Sequence, residues 1–403
     1  MWDNGVNIHD VRQIRTRCNV WFGVGAIDSI RDIVLDMVGR DIKSVLVVTG
    51  SNSYKSSGAW GRIEPALKAA GITYAVYNEV TPNPTTGQVD TAVLVGRDIK
   101  AEAVIGIGGG SALDAGKCVA AMMKYPNHKA AQLASGELEP ADALPFLAVN
   151  LTHGTGSEVN RFAVITDTDR DFKPVIAADC LYPAWAIDDP ALMTSLSQKQ
   201  TRFVSIDAVN HVIEAATSKA ANPLAIMLGA ETIRLVAKYL PSALKDPKDL
   251  YARYFLAYAA MIAGTAFDNS LLHFTHALEH PLSALKPELS HGLGLSMLLP
   301  AVVKAIYPAR AEVLATLLEP IVPGLAADPK DALRAARGVE KWLAGCGVPE
   351  KLADLGFSEK DVKQLTALSF DTPGLSGLLD QAPIPASKLA VEAIYLDSFG
   401  IQP

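Results

Sequence analysis

The sequence predicts two domains, an α/β domain with a parallel sheet followed by an all-helical domain. The chain has 403 residues, more than the roughly 250–300 residues that fold around a single core. In its first half, short β-rich runs alternate with helical stretches, which is typical of a parallel sheet covered on both faces. After Ser195 the strand signals almost disappear. We therefore place the domain boundary in the segment DDPALMTSLS, between residues 192 and 193.

Apolar, β-branched runs that end in glycine, proline or polar turns are predicted as strands. They are SVLVVTG (44–50), TYAVYNEV (73–80), AEAVIGIGGG (101–110), FLAVNLT (146–152) and AWAIDD (184–189). Helical segments such as WGRIEPALKAAG and TTGQVDTAVLVGRDIK separate them. Long helices, which prolines punctuate, are predicted in the second half over 198–219, 223–240, 249–283 and 292–307.

The composition excludes several classes of protein. Hydrophobic residues make up 49% and charged residues 20% of the chain, which excludes wholesale disorder. The net charge is −7 without a basic stripe, so nucleic acid is not expected as a partner. The N-terminus is polar and the most apolar stretch, 292–303, contains Ser296 and Pro300, so no secretory signal or membrane span is predicted. The four separated cysteines indicate reduced thiols in a cytoplasmic protein, and the apolar composition favours a homodimer or higher homo-oligomer.

Two glycine-rich segments directly follow predicted strands. In VIGIGGGSALDAGK (104–117), glycines precede a helix whose free amides attract phosphate, which favours a nucleotide pyrophosphate over a simple tight turn. In NLTHGTGSEVNRF (150–162), Thr152 and Thr155 would line the same crevice, because ligands bind beyond the carboxyl ends of parallel strands. An ordinary loop is the alternative for this second segment.

Histidines are concentrated in one stretch of the second half. Four of the eight lie in LLHFTHALEHPLSALKPELSHGLG, where His276 and His280 share a helix face and His291 opens the next helix. Upstream, Asp207 and His211 have the same spacing. A single histidine on an apolar face is usually a packed core residue, but two such pairs with a carboxylate favour a divalent-metal site. These five candidates exceed the usual four ligands, so one of them is not expected to bind the metal.

These motifs, in this order and spacing, resemble the iron-dependent alcohol dehydrogenases, most closely the NADP-linked branch known from hyperthermophilic archaea. The resemblance covers nearly the whole chain: GGGSxxDxxK at 108–117, GTGSE at 154–158, Asp-x3-His at 207–211, ANPL at 221–224, and His-Ala-x2-His with a later His-Gly at 276–292. It implies a Rossmann-like dinucleotide-binding α/β domain over 1–192 and an all-helical metal-binding domain over 193–403. This arrangement is the dehydroquinate synthase-like fold, with the active site in the cleft between the domains.

The resemblance also implies a role for each matching residue. The metal, Fe²⁺ with Zn²⁺ as the alternative, would be bound by Asp207, His211, His276 and His291. His280 would lie near the metal and the nicotinamide without binding the metal, and Asp114 would lie near the reacting carbon, so both are predicted as catalytic. The cofactor would be bound by Gly108, Gly109, Gly110, Ser111, Asp114, Thr152, Thr155 and Lys173. Many family members have glycine where this chain has His273.

The segment after the strand SVLVVT indicates which nicotinamide cofactor is used. NAD-using relatives often carry an acidic residue there, which bonds the ribose 2′-hydroxyl and would repel a 2′-phosphate. This chain instead has, with Lys55 nearby, the residues Gly50, Ser51, Asn52 and Ser53. We therefore predict NADP(H) as the preferred cofactor, bound in part by these four residues, with NAD(H) as the alternative.

The resemblance implies a metal-dependent enzyme that transfers a hydride between the nicotinamide and a small-molecule substrate, a primary alcohol or aldehyde. One alternative is an enzyme of the same fold acting on a phosphorylated substrate, of the glycerol phosphate dehydrogenase or cyclase type. That enzyme would need basic residues near the metal, whereas the loop after His280 contains only Lys286. The other alternative is a catalytically silent nucleotide-binding protein, against which the complete set of metal ligands argues.

Overall fold

The computed structural model describes residues 13–401. Its strands are β1 (Val20–Phe22), β2 (Ser44–Thr49), β3 (Thr73–Tyr77), β4 (Ala103–Gly108), β5 (Phe146–Asn150), β6 (Phe162–Val164), β7 (Val175–Ala177) and β8 (Trp185–Asp188). Six of them form a parallel sheet in the order β1-β8-β5-β4-β2-β3, and β6 pairs with β7 in antiparallel orientation. The carboxyl ends of the six parallel strands therefore lie along one edge, where such sheets bind ligands.

The alternation of side chains divides the parallel strands between two hydrophobic cores, one on each face of the sheet. In β2, Val45 and Val47 face the first core, while Leu46 and Val48 face the second. The first face is covered by α1 (Ile30–Gly39), α2 (Ser53–Ser56) and α3 (Trp60–Ala69), the second by α4 (Thr86–Asp98), α5 (Gly110–Met122) and α6 (Ala130–Ser135). A strand buried on both faces needs apolar residues at every position, which explains the continuously hydrophobic runs in the sequence.

The second part of the described chain consists of helices around a third core. They are α7 (Gln198–Thr217), α8 (Pro223–Lys245), α9 (Leu250–Asp268), α10 (Phe274–Leu285), α11 (His291–Leu318), α12 (Ala332–Gly345), α13 (Val362–Asp371), α14 (Leu375–Asp380) and α15 (Lys388–Asp397). The predicted fold class, a parallel-sheet α/β part followed by a helical part, is confirmed. The domain boundary between residues 192 and 193 stays a prediction.

Helix α11 is long and apolar enough to cross a membrane by length and composition alone. However, 78% of its most apolar window is buried inside the protein. Side chains such as Leu298 and Val302 belong to the helical core. Its apolar character therefore matches that of a core helix.

The five predicted strands are present, but one predicted helix is wrong. The segment 249–283 forms two helices, α9 and α10, with an irregular connection between them. Leu271 has a φ of +65°, and its backbone N–H donates to the Phe267 carbonyl at 2.7 Å, so the chain turns out of the helix there. Leucine rarely adopts this left-handed conformation. The available stop signal is the polar run Asp268, Asn269 and Ser270, through which the predicted helix continues.

One proline does not end its helix where the sequence predicts: the helix predicted over 223–240 continues through Pro241 to Lys245. Pro281 and Pro300 likewise lie inside α10 and α11, and α11 extends past the predicted end at 307 to Leu318 with a kink at Arg310. An interior proline removes one backbone hydrogen bond and crowds the preceding turn. Since these helices are buried among their neighbours, packing outweighs that loss.

Glycines bring the sheet edge directly against the helical part. A Cβ atom at Gly154 would lie 2.7 Å from Val204 in α7, and one at Gly156 would lie 2.5 Å from the Cα of Gly264 in α9. A side chain at either position would push the loop after β5 away from the helices. This close approach sets the width of the cleft in which the candidate site lies.

Candidate metal and cofactor site

Three helices bring the predicted metal ligands to one place. Asp207 and His211 lie one turn apart on α7, His276 lies in the first turn of α10, and His291 is the first residue of α11. The Asp207 and His276 side chains are each 4% exposed, and that of His291 is 27% exposed. The site is therefore mostly shielded from water, with one partly open side at His291.

One nitrogen or oxygen atom each from Asp207, His276 and His291 lies within 4.8 Å of the others. The Asp207 Oδ1 atom is 3.6 Å from His276 Nε2 and 3.5 Å from His211 Nε2. The His211 ring stacks on the His276 ring with a centroid distance of 4.6 Å, but His211 is not part of the three-residue group. The structure thus brings all four predicted ligands together, three of them tightly.

The donor atoms fit a divalent cation. Asp207 Oδ1 and His276 Nε2 are buried, face each other and have no hydrogen-bond partner among the described residues. Burying such atoms unpaired costs about 1–3 kcal/mol each, which a cation between them would offset. Burial raises the pKa of Asp207, but the His211 and His276 rings outweigh burial and hold that pKa at about 2. One carboxylate with imidazoles suits Fe²⁺ or Zn²⁺.

A second carboxylate, Glu214, supports His276 from behind. Its Oε1 atom accepts hydrogen bonds from the backbone N–H groups of His273 (3.0 Å), Thr275 (2.7 Å) and His276 (3.3 Å), which begin α10. Its Oε2 atom accepts a hydrogen bond from His276 Nδ1. The proton on Nδ1 leaves Nε2, the atom that faces Asp207, as the ligand atom of the neutral ring.

The contacts between Glu214 and His276 shift the pKa values of both residues. Burial alone raises the pKa of Glu214, but the neighbouring His276, its hydrogen bond and His273 lower that pKa to about 2. Burial alone lowers the pKa of His276, whereas Glu214 and Asp207 raise it to about 9. In the absence of a cation, the proton on His276 balances the negative charge of Glu214 and Asp207. A bound cation would balance this charge in place of the proton.

We expect Glu214→Gln to weaken metal binding by about 10- to 100-fold, because a carboxylate behind a histidine ligand fixes its orientation and basicity. The measurement is metal content after dialysis against a graded chelator. The matched control is Glu231→Gln on α8, whose carboxylate pairs with Arg234 at the surface and should leave metal content unchanged. Equal metal retention by both variants would show that Glu214 only caps α10.

His291 has its own supporting carboxylate, Glu279. His291 Nδ1 donates to Glu279 Oε2, and Lys173 Nζ lies 3.3 Å from the same oxygen and 3.0 Å from Ser283 Oγ. Burial raises the pKa of Glu279, but His291 and Lys173 outweigh burial and lower it. The positive charge of Lys173 is therefore balanced by the Glu279 carboxylate inside the protein. The predicted contact of Lys173 with the nicotinamide ribose stays a prediction.

His280 lies inside α10 rather than at its end. The helix continues through Pro281 to Leu285, so the His280 side chain does not cap a helix end. Instead, His280 Nδ1 donates to the Lys173 backbone carbonyl at 2.7 Å. Burial, then Lys173, lowers the pKa of His280 well below its usual value, so the ring is neutral with Nε2 able to accept a proton.

A cavity of about 150 Å³ joins the metal ligands to the sheet edge. Its lining includes the predicted residues Gly110, Ser111, Asp114, Thr155, Lys173, Asp207, His211, His276, His280 and His291. The predicted residues outside this lining, namely Gly50, Ser51, Asn52, Ser53, Gly108, Gly109 and Thr152, lie at or just beyond the ends of β2, β4 and β5. The predicted cofactor residues therefore lie along the carboxyl edge of the sheet, and those nearest α5 share the cavity with the predicted metal ligands.

The glycine-rich turn meets the loop after β5. A Cβ atom at Gly109 would lie 2.6 Å from Thr152 Cγ2, and one at Gly110 would lie 2.4 Å from Thr155 Cγ2. The two glycines are therefore required by internal packing as well as by any bound phosphate. The N-terminal amides of α5, which begins at Gly110, point along this edge.

Asp114 connects α5 to the β6 segment. Ser157 Oγ donates to its Oδ1 atom at 2.7 Å, and the Val164 backbone N–H donates to its Oδ2 atom at 3.0 Å. Burial raises the pKa of Asp114. Both oxygens thus hold protein groups in place, and the role of Asp114 near the reacting carbon stays a prediction.

Sequence reasoning missed the two supporting carboxylates, Glu214 and Glu279. Glu214 lies seven residues after Asp207, on the same face of α7, and this spacing could have suggested it. Glu279 directly precedes His280 and faces His291 across the connection to α11. No spacing rule indicates that second contact.

Comparisons with known proteins agree with the geometry. The family model for iron-containing alcohol dehydrogenase matches residues 18–190, and the model for the C-terminal part of the Fe-containing alcohol dehydrogenase family matches residues 203–399. The chain is 50% identical over 399 residues to the long-chain primary alcohol dehydrogenase AdhA of Thermoanaerobacter ethanolicus, which covers 99% of this chain and 100% of that protein. It is 30% identical over 382 residues to the 1,3-propanediol dehydrogenase of Klebsiella pneumoniae, covering 94% of this chain and 96% of that protein.

Solved structures show the same fold. An archaeal halo-thermophilic alcohol dehydrogenase from a Red Sea brine pool superposes with a TM-score of 0.89 at 25% identity, covering 98% of this chain and 100% of that one. The NADH-dependent butanol dehydrogenase A of Thermotoga maritima superposes with a TM-score of 0.88 at 28% identity, covering 96% of this chain and 98% of that one.

Proposed function

Since this chain belongs to the iron-containing alcohol dehydrogenase family, we propose that it transfers a hydride between a primary alcohol or aldehyde and a nicotinamide cofactor. The observation that carries this proposal is the buried pair of facing atoms, Asp207 Oδ1 and His276 Nε2, at one end of the cavity. The same cavity is lined by Gly110 and Ser111 at the N-terminus of α5, where a phosphate-bearing cofactor is favoured.

The chemistry divides between the bound groups and the protein. A divalent cation held by Asp207, His211, His276 and His291, Fe²⁺ with Zn²⁺ as the alternative, would lower the pKa of the substrate hydroxyl, and the nicotinamide would exchange the hydride. Residues of the chain would bind and orient these groups, and the burial of Asp207 and His276 limits the access of water to the cation. To His280 we assign acceptance of the proton that alcohol oxidation releases, at Nε2, because Nδ1 is hydrogen-bonded to the Lys173 carbonyl.

A phosphorylated substrate is less well supported. Of the described residues that line the cavity, Lys173 is the one lysine or arginine, and Glu279 already neutralises it. Lys286, the basic residue of the loop after His280, donates instead to the Leu355 carbonyl. A substrate phosphate would therefore lack a free cationic partner in the cavity.

The function is tested with a panel of primary alcohols and aldehydes, followed by nicotinamide absorbance on protein loaded anaerobically with Fe²⁺ or Zn²⁺. We expect turnover of primary alcohols with at least one of the two metals. No turnover with any pair of metal and nicotinamide, in a protein that retains its metal, would support the silent nucleotide-binding alternative. The cytoplasmic location and the homo-oligomeric state stay predictions.

We expect kcat/KM to be higher with NADPH than with NADH, because Gly50 leaves room and no negative charge at the end of β2. Gly50→Asp should shift the ratio toward NADH by about tenfold or more, since a hydrogen bond to a charged group contributes about 1.5–3 kcal/mol. The new Cβ would lie 3.3 Å from the Val80 carbonyl oxygen, which requires only a small local shift. The control is Gly39→Asp at the end of α1, where an added Cβ meets nothing within 4 Å. A wild-type preference for NADH would contradict the prediction.

A further inference from the structure

The connection between α9 and α10 contains a leucine in a conformation that leucine rarely adopts. Five non-glycine residues of the described chain have a positive φ, and Leu271 is the only apolar one among them. At φ +65° its Cβ is crowded by the backbone, a conformation that only glycine, and sometimes asparagine or aspartate, adopts readily. Glycine would form the same turn without strain.

The leucine side chain is not needed for the hydrophobic cores. Leu272, its neighbour, packs against the helical core, whereas Leu271 packs against none of the three cores in the part of the chain that the structure describes. Leu271 is half-buried and lines the cavity of the candidate site. Strained residues that persist tend to occur at functional sites, where the surrounding structure holds them.

Leu271 belongs to an apolar wall that begins beside the proposed metal ligands. The Phe267 ring stacks on the His211 ring with a centroid distance of 4.5 Å, and the Leu271 N–H donates to the Phe267 carbonyl. Besides these two residues, the wall includes Phe162, Leu272 and Leu378. A substrate hydroxyl at the metal ligands would therefore have its carbon chain directed along apolar side chains.

We propose that Leu271 is a specificity residue whose strained backbone presents its side chain to the alkyl chain of the substrate. The inference rests on the proposed function and deepens it. The name of the 50%-identical relative gives long-chain primary alcohols as the substrates of that protein, and we assign to Leu271 the selection of long apolar chains over ethanol in this chain. Burial of each additional methylene group against the wall favours the longer substrate. Ethanol is too short to gain from this contact.

The test compares Leu271→Ala with Leu271→Gly in the metal-loaded enzyme. Both remove the side chain, so the ratio of kcat/KM for 1-octanol to that for ethanol should fall by about tenfold in each. The loss should appear as a higher KM for 1-octanol rather than a lower kcat. Only the glycine variant also relieves the backbone, so it should unfold roughly 1–4 °C higher than the alanine variant.

Two controls separate this effect from general damage. At Leu272, where φ is not positive, the order should reverse, with the alanine variant unfolding at the higher temperature because glycine loses more entropy on folding. Leu389→Ala changes a leucine that is 78% exposed and outside the cavity, and it should leave the ratio of the two alcohols unchanged.

The outcomes distinguish failure of this inference from failure of the proposed function. An unchanged octanol-to-ethanol ratio in both Leu271 variants, or an alanine variant more stable than the glycine variant, would overturn the role of Leu271. If the wild type oxidises no alcohol, binding of octanamide and acetamide, measured by calorimetry on the metal-loaded protein, tests the same wall. Preferential octanamide binding that is lost in both variants would uphold the specificity role even then, and equal binding of the two amides would refute it.

Discussion

His276→Ala is expected to remove the bound metal and the dehydrogenase activity together. His276 contributes the nitrogen closest to Asp207 in the buried group, and Glu214 fixes its ring. Losing a direct ligand should cost more than the roughly 10- to 100-fold that follows from losing a residue that only holds a ligand. The measurement is metal per chain, determined on the same sample as kcat/KM.

The same variant should change how stability responds to metal. A cation that binds only the folded protein stabilises it by about 2.7 kcal/mol when its free concentration is 100 times Kd. Added Fe²⁺ should therefore raise the unfolding temperature of chelator-treated wild type but not that of His276→Ala. His128→Ala, in the connection between α5 and α6, is the matched histidine control and should behave like wild type.

Alanine variants of Asp207, His211 and His291 are also expected to lose bound metal and activity together. We expect the smallest loss of metal in His211→Ala. The His211 ring stacks beside the three-residue group but lies outside it. A His276→Ala or His291→Ala protein that retains full metal occupancy would remove that residue from the ligand set. Full occupancy in His211→Ala alone would reduce the set to three ligands, leaving the rest intact.

Local periodicity was sufficient to predict that Asp207 and His211 share one helix face, because residues four positions apart lie one turn apart, but it did not separate α10 from α9. The same periodicity could have placed Glu214 on the face of α7 that carries Asp207, but it could not predict the contact of Glu214 with His276 or that of Glu279 with His291. Glu214 meets the start of α10 only because α7 and α10 pack together, and that contact joins residues about sixty positions apart in the chain. Local rules contain no information on such long-range packing.

The irregular connection between α9 and α10 shows a second limit of the sequence. Asp268, Asn269 and Ser270 form a polar turn signal there, but the predicted helix continues through them. The residue that adopts the left-handed conformation is Leu271, which is neither the glycine nor the asparagine usual at such a turn. Likewise, β6 and β7 are only three residues long, too short for a periodic pattern. Residues of both features line the cavity. Sequences commonly depart from local secondary-structure propensity at functional sites.

His280→Ala is expected to retain metal and fold but to lose about 10²–10⁴-fold in kcat for alcohol oxidation, the usual contribution of a general acid or base. The His280 ring is buried on the cavity wall, and its Nδ1 is committed to the Lys173 carbonyl, so Nε2 is the atom that can take the substrate proton. Because burial lowers the pKa of His280 below its usual 6.5, the neutral, proton-accepting ring persists to acidic pH. The wild-type rate should therefore fall only when the pH drops below this lowered pKa. The rate of the variant should show no such decrease at acidic pH.

His280→Asn separates proton transfer from positioning of the Lys173 segment. Its side-chain amide can donate to the Lys173 carbonyl as His280 Nδ1 does, but it cannot accept and release a proton near neutral pH. If His280 transfers the proton, the asparagine variant is as slow as the alanine variant, and its pH profile is equally flat on the acid side. Recovery of kcat in His280→Asn would instead show that the ring serves to hold the Lys173 backbone. Loss of metal in either variant would make His280 a ligand.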